Sequence, residues 1–398
     1  MEAIYKVRET MRVAIITENF LPKLDGVTRT LARLLEYLQD NAHPALLLGP
    51  DSGMQEYAGA EVVGTAGFPL PFYPELKFNF FRPLFIRRLN EFQPDIVHLV
   101  DPVVLGAAGL AAARFLNKPI ISSYHTNIAA YCAYFGVPIF TRPMWAYNRL
   151  IHSQCALTFC PSPSTASMLE KQGFQNLRIW SRGVDTTLFR PERRSTELRS
   201  SWLQGRRRPD EKTVLLYAGR ISWEKNLRLL TQAYRNMDHK RCHLVIVGQG
   251  PAFGEIQQEL ADLPVTFTGY LQGEYLAVAY ASADIFAFPS RSETFGQVVL
   301  EAMASGLPVA GVRSEGVCDL VQDGDTGYLL DAQGLSEKEE IIAYQSILEH
   351  LIVNAALRRN MGRTALKEAQ QRSWPAAMKS LMEGYKDVIE ATTPLAVA

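Results

Sequence analysis

Short apolar runs recur down the whole chain in two series, and this pattern constrains the fold more than any other feature. The first series is RVAIIT (12–17), ALLLGP (45–50), DIVHLV (95–100), PIISSYH (119–125) and ALTFCPS (156–162). Between them lie segments with helical spacing, such as TRTLARLLEYLQ (28–39). Continuous apolar runs of strand length suit strands covered on both faces, and their alternation with helices builds a doubly wound parallel sheet. A second series follows: TVLLYAG (213–219), HLVIVGQG (243–250), VTFTG (265–269), DIFAFPS (284–290) and PVAGV (308–312). The polar, proline-bearing stretch GVDTTLFRPERRS (183–195) separates the two and reads as a linker. The expected class is α/β, with two Rossmann-like doubly wound parallel-sheet domains facing a cleft. The expected boundaries are a leader (1–11), an N-terminal domain (12–182), the linker (183–195), a C-terminal domain (196–372), a closing helix (373–392) and a tail (393–398).

Composition narrows the class. A chain of 398 residues exceeds one ordinary core and suits two domains. Its 41 Lys plus Arg balance 41 Asp plus Glu, so no global charge argues for nucleic acid. No apolar run of about 18 residues suggests a membrane span, and MEAIYKVRET lacks the apolar core of a secretory signal. Cys132, Cys155, Cys160, Cys242 and Cys318 are scattered, as in a reduced, cytoplasmic chain. The basic run GRRRP (205–209) reads as a solvated loop.

Open α/β sheets bind ligands outside the carboxyl ends of their strands, so the residues following each strand matter. After 12–17 comes ENFLPKLDGV, whose Gly26 allows close backbone approach where a helix should begin at about Val27 with amides for an anion. His125 stands at the end of PIISSY, whereas His98 and His243 lie inside apolar runs and read as core histidines. Arg220 and Lys225 leave one strand end together, and two such cations suit a diphosphate. Gly248 and Gly250 mark a tight turn where a nucleotide could approach; Gly254 falls one residue too late for GxGxxG. In SRSETFGQVVLEAMASG (290–306), Glu293 precedes a helix expected to start at about Phe295 or Gly296. Glu301 lies in that helix's second turn. First-turn amides would face a phosphate, one carboxylate would meet sugar hydroxyls, and the other would meet ribose. Each feature also has a plain structural reading, as an ordinary turn, cap or solvated loop.

Taken in order, PKLDGV, YHTN, GRISWEKN, VGQGP, SETFGQVVLEAMASGLPVA and DGDTGYLL resemble the motifs of glycosyltransferase family 4, with the GT-B fold, from about residue 12 to 390. The stretches FQPDIVHLVDPVVLG and RIWSRGVDTTLFRP look like those of both GDP-mannose-dependent α-mannosyltransferases and sulfoquinovosyltransferases. The resemblance implies a retaining hexosyltransferase with a nucleotide-diphosphate sugar as donor, GDP-mannose before UDP-sulfoquinovose, and a lipid or glycan acceptor. No cofactor or metal is expected, and DGD (323–325) reads as a turn. It implies catalytic roles for His125, Arg220, Lys225 and Glu293. It implies donor contacts for Gly26, Gly248, Gly250, Tyr270, Leu271, Thr294, Phe295, Gly296, Gln297, Val298 and Glu301, with the base near Tyr270 and Leu271. A phosphorylase would need a lysine-bound pyridoxal phosphate, and an epimerase would convert donor without acceptor. A non-catalytic binding subunit would be expected to lack part of the Arg220, Lys225, Glu293 and Glu301 set. The segment 72–92 combines Phe72, Tyr73, Phe78, Phe80, Phe81 and Phe85 with Lys77, Arg82, Arg87 and Arg88. It is expected to offer a peripheral face for anionic membrane.

Overall fold

The computed structural model describes residues 10–22, 25–70, 73–79, 81–134, 136–203 and 212–392. Most of the leader, the basic run at 205–209, the tail and residues Phe72 and Phe80 lie outside this set. The chain divides into two compact units: residues 1–181 with 375–398, and residues 182–374.

In the first unit the strands are β1 (Val13–Thr17), β2 (Ala45–Pro50), β3 (Glu56–Tyr57), β4 (Ala60–Thr65), β5 (Gly67–Leu70), β6 (Tyr73–Asn79), β7 (Ile96–Val100), β8 (Ile120–Ser123), β9 (Leu157–Cys160) and β10 (Leu177–Ile179). Eight of them form one sheet in the order β10-β9-β8-β7-β1-β2-β4-β3. Every pairing in it is parallel except β3 with β4. β1, β2, β7 and β8 are buried along almost their whole length, which is why their sequences are unbroken apolar runs. The helix Gly26–Asp40 buries Leu31, Leu34, Leu35 and Leu38 on one face.

The second unit holds β11 (Thr213–Ala218), β12 (Cys242–Val247), β13 (Val265–Gly269), β14 (Ile285–Phe288), β15 (Val309–Val312) and β16 (Gly327–Leu330). Their order is β13-β12-β11-β14-β15-β16, all parallel. This is the dinucleotide-fold order, in which the winding reverses beside the first strand. With β3 set aside, the first unit repeats it with one more strand, reversing between β1 and β7.

The long apolar runs all became strands: 45–50 and 265–269 keep their bounds, β12 starts one residue before its run, and the run ends are otherwise trimmed by up to three residues. β3, β4, β5, β6, β10 and β16 are additional; they are short or carry glycine or charge, so no run announces them. The segment 72–92 is not one amphipathic face. It divides into β6, paired with β5 in a separate antiparallel hairpin, and the helix Pro83–Phe92. Phe85 of that helix is fully buried. Arg87 lies 3.7 Å from Glu91, and Arg88 lies 3.0 Å from Glu91 and 3.3 Å from Glu61. Much of this positive charge is therefore balanced within the protein. The motif DGD forms a turn before β16, with Asp323 accepting from the Leu329 amide at 2.9 Å. The five cysteines form no disulfide. Among the described residues no helix is long and apolar enough to cross a membrane.

The last helix, Trp374–Thr392, packs against the first unit, burying Leu381, Tyr385 and Val388. The sheet of the second unit is anchored at its other end, away from the strand carboxyl termini. There Asp284 accepts from the Val214 amide at 2.7 Å and from the Arg199 guanidinium at 3.0 Å, and Arg199 is only 2% exposed. Asp284→Ala leaves that buried guanidinium with carbonyl partners but no opposite charge, a loss worth about 3–5 kcal/mol for a buried pair. Urea unfolding should show a drop of this size. A drop below about 1 kcal/mol would show that the ion pair does not anchor the sheet.

Candidate active site

In the second unit β11 and β14 are neighbours, and the winding reverses between them. β11 runs out into Gly219 and Arg220, and β14 into residues 289–296. Two hydrogen bonds tie these loops together. Asn226 Nδ2 donates to the Pro289 carbonyl at 3.1 Å, and Ser292 Oγ donates to the Glu224 carbonyl at 3.3 Å.

The charged groups follow from this. Lys225 Nζ lies 2.8 Å from Glu293 Oε1, with both side chains under one-fifth exposed. Ser290 Oγ donates to the same carboxylate oxygen at 3.0 Å. Arg220 Nη1 lies 3.3 Å from Glu224 Oε1, which also accepts from Ser222 Oγ. The Arg220 carbonyl accepts from the Tyr217 hydroxyl at 2.8 Å, and burial pushes that phenol well above its usual range. The structure thus gathers Arg220, Lys225 and Glu293 where β11 and β14 diverge. Glu224, Ser222, Ser290 and Asn226 support them and were not singled out in the sequence. Glu224 stands in GRISWEKN between the two cations, and an acid at that place was the available signal.

The helix after β14 is Gln297–Ala304, with Gly296 as its N-cap at φ +90° and no side-chain cap. Only a residue tolerating the left-handed region fits there without strain. Among the described residues nothing accepts from the Gln297 and Val298 amides, so the helix start remains available to an anion. Phe295 is buried with the Arg182 guanidinium 5.5 Å above its ring, and Gln297 Nε2 donates to the Gly183 carbonyl at 3.1 Å. Thr294 and Val298 are half-buried. Glu301 is 3% exposed on the same helix and accepts from the Tyr280 hydroxyl at 3.3 Å.

Gly248 ends β12. Its φ is +139°, and a Cβ there would sit 1.9 Å from the Gly219 carbonyl oxygen. The glycine is demanded by the packing of two loops, a reason the sequence reading did not contain. The Gly248 amide also donates to the Gly269 carbonyl at 2.8 Å. Gly248 and the end of β13 are therefore held together, and just beyond Gly269 Tyr270 is 45% exposed and Leu271 packs on the core.

In the first unit Gly26 opens the helix Gly26–Asp40, one residue before the expected start. Asp25 Oδ1 already accepts from the Val27 and Thr28 amides, at 3.0 and 2.8 Å. The expectation of unoccupied amides therefore fails for these two: a capping box holds them. Next to β1, Glu18 Oε1 accepts from the Val103, Val104 and Gly106 amides at 2.9, 2.7 and 3.0 Å. Burial raises the pKa of Glu18, and those amides oppose the rise.

Asp101, just past β7, does the same for the turn after β8. Its Oδ1 accepts from the His125 amide at 2.6 Å and the Thr126 amide at 3.0 Å, and its Oδ2 accepts from the Thr126 hydroxyl at 2.6 Å. Burial lifts this carboxyl to about 6 against the pull of those donors. His125 is 5% exposed, edge-on to Trp180, with Nε2 3.0 Å from Ser123 Oγ. His98 and His243 are buried, as their apolar surroundings implied. Glu18 and Asp101 were missed; each is an acid immediately after a buried strand, which was a usable signal.

Two family models cover the chain. Glycosyltransferase Family 4 matches residues 24–188, and Glycosyl transferases group 1 matches residues 199–385. A GDP-mannose-dependent alpha-mannosyltransferase of Mycolicibacterium smegmatis is 35% identical over 95% of this chain and 98% of its own length. A sulfoquinovosyl transferase of Arabidopsis thaliana is 33% identical over 92% of this chain and 71% of its own. An alpha-monoglucosyldiacylglycerol synthase of Streptococcus pneumoniae is 27% identical over 86% and 81%. Among solved structures, the sucrose-phosphate synthase of Thermosynechococcus elongatus matches 96% of this chain and 100% of its own at TM-score 0.77 and 19% identity. The Anabaena protein HepE with UDP and glucose matches 95% and 100% at TM-score 0.74 and 17% identity. Those two establish the fold, and the full-length identity to the mannosyltransferase establishes the family. The chain belongs to glycosyltransferase family 4, with the GT-B fold, and is a glycosyltransferase.

Proposed function

We propose that this enzyme transfers mannose from GDP-mannose to a lipid-borne acceptor with retention of anomeric configuration. The observation that carries this reading is the similarity over nearly the whole chain to a GDP-mannose-dependent alpha-mannosyltransferase, 35% identical. A second reading, sulfoquinovosyl transfer, has support from the similarity at 33% identity to the Arabidopsis enzyme. The lipid acceptor has support from the likeness to the diacylglycerol-modifying synthase. Comparing hydrolysis of GDP-mannose, UDP-sulfoquinovose and UDP-glucose without acceptor separates the readings, and preference for a UDP sugar would overturn the first.

The donor's diphosphate would lie along Arg220, Lys225 and the start of the helix Gln297–Ala304. Its negative charge is assigned to these groups rather than to a bound metal or cofactor. Glu293 would meet sugar hydroxyls while holding Lys225, Glu301 would meet ribose, and the base would lie by Gly250, Tyr270 and Leu271. His125 would contact the transferred sugar, with Gly26 near the diphosphate. The acceptor hydroxyl would attack the anomeric carbon on the face from which the diphosphate leaves. The departing phosphate oxygen would take the hydroxyl proton as the old carbon–oxygen bond breaks and the new one forms. Charge growing on that oxygen is where fixed cations contribute most.

A peripheral membrane contact completes the reading, at a different place from the segment 72–92. In the first unit Ile139 is 79% and Phe140 56% exposed, next to exposed Arg142. Adjacent apolar side chains beside a cation suit the interface of an anionic bilayer.

Arg220→Ala or Lys225→Ala should lower transfer at least about 10²-fold; near-normal turnover in both would remove them from the site. Glu301→Gln should mainly weaken binding of free nucleoside diphosphate, and Glu293→Gln should mainly lower kcat, read by calorimetry beside steady-state kinetics. Equal loss of nucleotide affinity would defeat that division. Replacing Ile139 and Phe140 together with Ser should weaken flotation with anionic vesicles at least about tenfold, given about 1.5–3 kcal/mol for each such side chain fully buried. Arg82, Arg87 and Arg88 changed together to Gln should do less, because two of them already face carboxylates. A parent protein that ignores anionic vesicles at low salt would end the membrane reading.

A further inference from the structure

Asp101, one residue past β7, lies in the left-handed region at φ +46°. A side chain with a Cβ is costly there, although aspartate and asparagine bear it better than most. Pro102 follows, and a proline pushes the residue before it toward extended backbone. Such a conformation persists only where the surroundings impose it, and it is found most often at functional sites. Three elements impose it here. The Asp101 amide donates to the Ser123 carbonyl at the end of β8, at 2.9 Å. Glu18, after β1, takes the Val103, Val104 and Gly106 amides. Tyr147, in the helix Thr141–His152, donates its hydroxyl to the Val103 carbonyl. The segment is also tightly packed, since a Cβ on Gly106 would lie 2.3 Å from Pro102 Cβ.

This braced backbone carries the Asp101 carboxylate across to the turn after β8. Two consecutive amides, of His125 and Thr126, converge on Oδ1 at 2.6 and 3.0 Å, and the Thr126 hydroxyl donates to Oδ2 at 2.6 Å. Two amides aimed at one oxygen fix both the place and the tilt of the turn. The next residue continues the arrangement: Asn127 Oδ1 accepts from the Ala130 amide at 3.0 Å and so starts the helix Ile128–Tyr134. Asp101 is 7% exposed, and its burial and the nearby charge of Asp25 both oppose the ionised form. One residue thus bears an unfavourable φ and a buried charge, and what both secure is the position of His125.

We infer that Asp101 is a positioning residue for sugar transfer, its left-handed backbone braced by Glu18 and Tyr147 so that its carboxylate sets the backbone of His125 and Thr126. This rests on the proposed contact of His125 with the transferred sugar, and deepens it. Asp101 touches no substrate in this scheme, and Glu18 acts one step further away, through the loop that Asp101 begins. The proposed nucleotide contacts lie in the second unit, so loss of Asp101 should act on turnover and spare nucleotide affinity.

The test uses the full chain and whichever of GDP-mannose, UDP-sulfoquinovose and UDP-glucose the parent hydrolyses fastest. Asp101→Gly accepts the positive φ more readily than aspartate and removes all three acceptors. Its His125 and Thr126 amides should exchange with deuterium at least about tenfold faster. Its kcat should fall about tenfold or more, with affinity for the matching free nucleoside diphosphate, read by calorimetry, within about twofold. Asp101→Asn keeps a carbonyl oxygen for both amides and tolerates the same φ, so it should restore slow exchange and bring kcat to within about threefold of the parent. Thr126→Val loosens the grip from the other side without opening the backbone, and keeps the test decisive if Asp101→Gly does not fold; its kcat should fall about threefold to tenfold. Parent kcat in Thr126→Val, parent kcat in Asp101→Gly despite fast exchange, or slow exchange retained in Asp101→Gly overturns the inference. So does a low kcat in Asp101→Asn with both amides protected. His125→Ala separates the two levels. Parent kcat there ends the contact of His125 with sugar, whereas a loss of about tenfold there beside an unaffected Asp101→Gly ends only the role of Asp101.

Discussion

Where the winding of a parallel sheet reverses, two adjacent strands send their chains away in opposite directions, and something must hold the resulting loops. Both units meet that demand with carboxylates. In the first unit Glu18, after β1, takes three amides from the loop that follows β7. In the second unit Glu293, after β14, takes Lys225 from the loop that follows β11. The site residues stand where they do because the topology opens a gap there and the chain spans it with charge.

The two solutions differ in what they allow. Glu18 and Asp101 are buried and matched by backbone donors, so their loops are set before any ligand arrives. A carboxylate receiving several amides is stabilised by partners that cannot rotate away. Lys225 and Arg220 instead face carboxylates at partly exposed positions. Each pair is a contact between side chains that can rotate, unlike the backbone amides held by Glu18 and Asp101. The carboxylates hold the two cations in place beside the strand ends while leaving them able to turn to another anion. The first unit thus has loops fixed by buried carboxylates, and the second has cations held by side-chain ion pairs.

The strands buried on both faces were legible because parallel packing forces continuous apolar sequence, and β1, β7, β11 and β12 are such runs. β10 and β16 escaped because three or four residues at a sheet edge need no such pattern. Arg220, Lys225, Glu293 and Glu301 could be picked out because each follows a readable strand or begins a readable helix. Asp25 shows the limit: DG is read as a turn, yet whether its aspartate takes the helix amides itself depends on a side-chain rotamer that one sequence does not display. The segment 72–92 shows another. Its aromatic and basic content is plain, but which arginines face carboxylates depends on where Glu61 falls in a strand that the pattern did not reveal.

His98 carries the point furthest. An apolar run predicts a buried histidine, and burial usually argues against chemistry. Here burial is what qualifies it. Held neutral by desolvation, its ring keeps one donor and one acceptor, and its two nitrogens lie within hydrogen-bond distance of two buried hydroxyls, those of Tyr385 and Ser123. Tyr385 comes from the helix that closes the chain on the first unit, so the line of hydrogen bonds from Tyr385 through His98 and Ser123 to His125 includes that helix. Core packing and the set of a polar ring near strand ends are, in this unit, one structure.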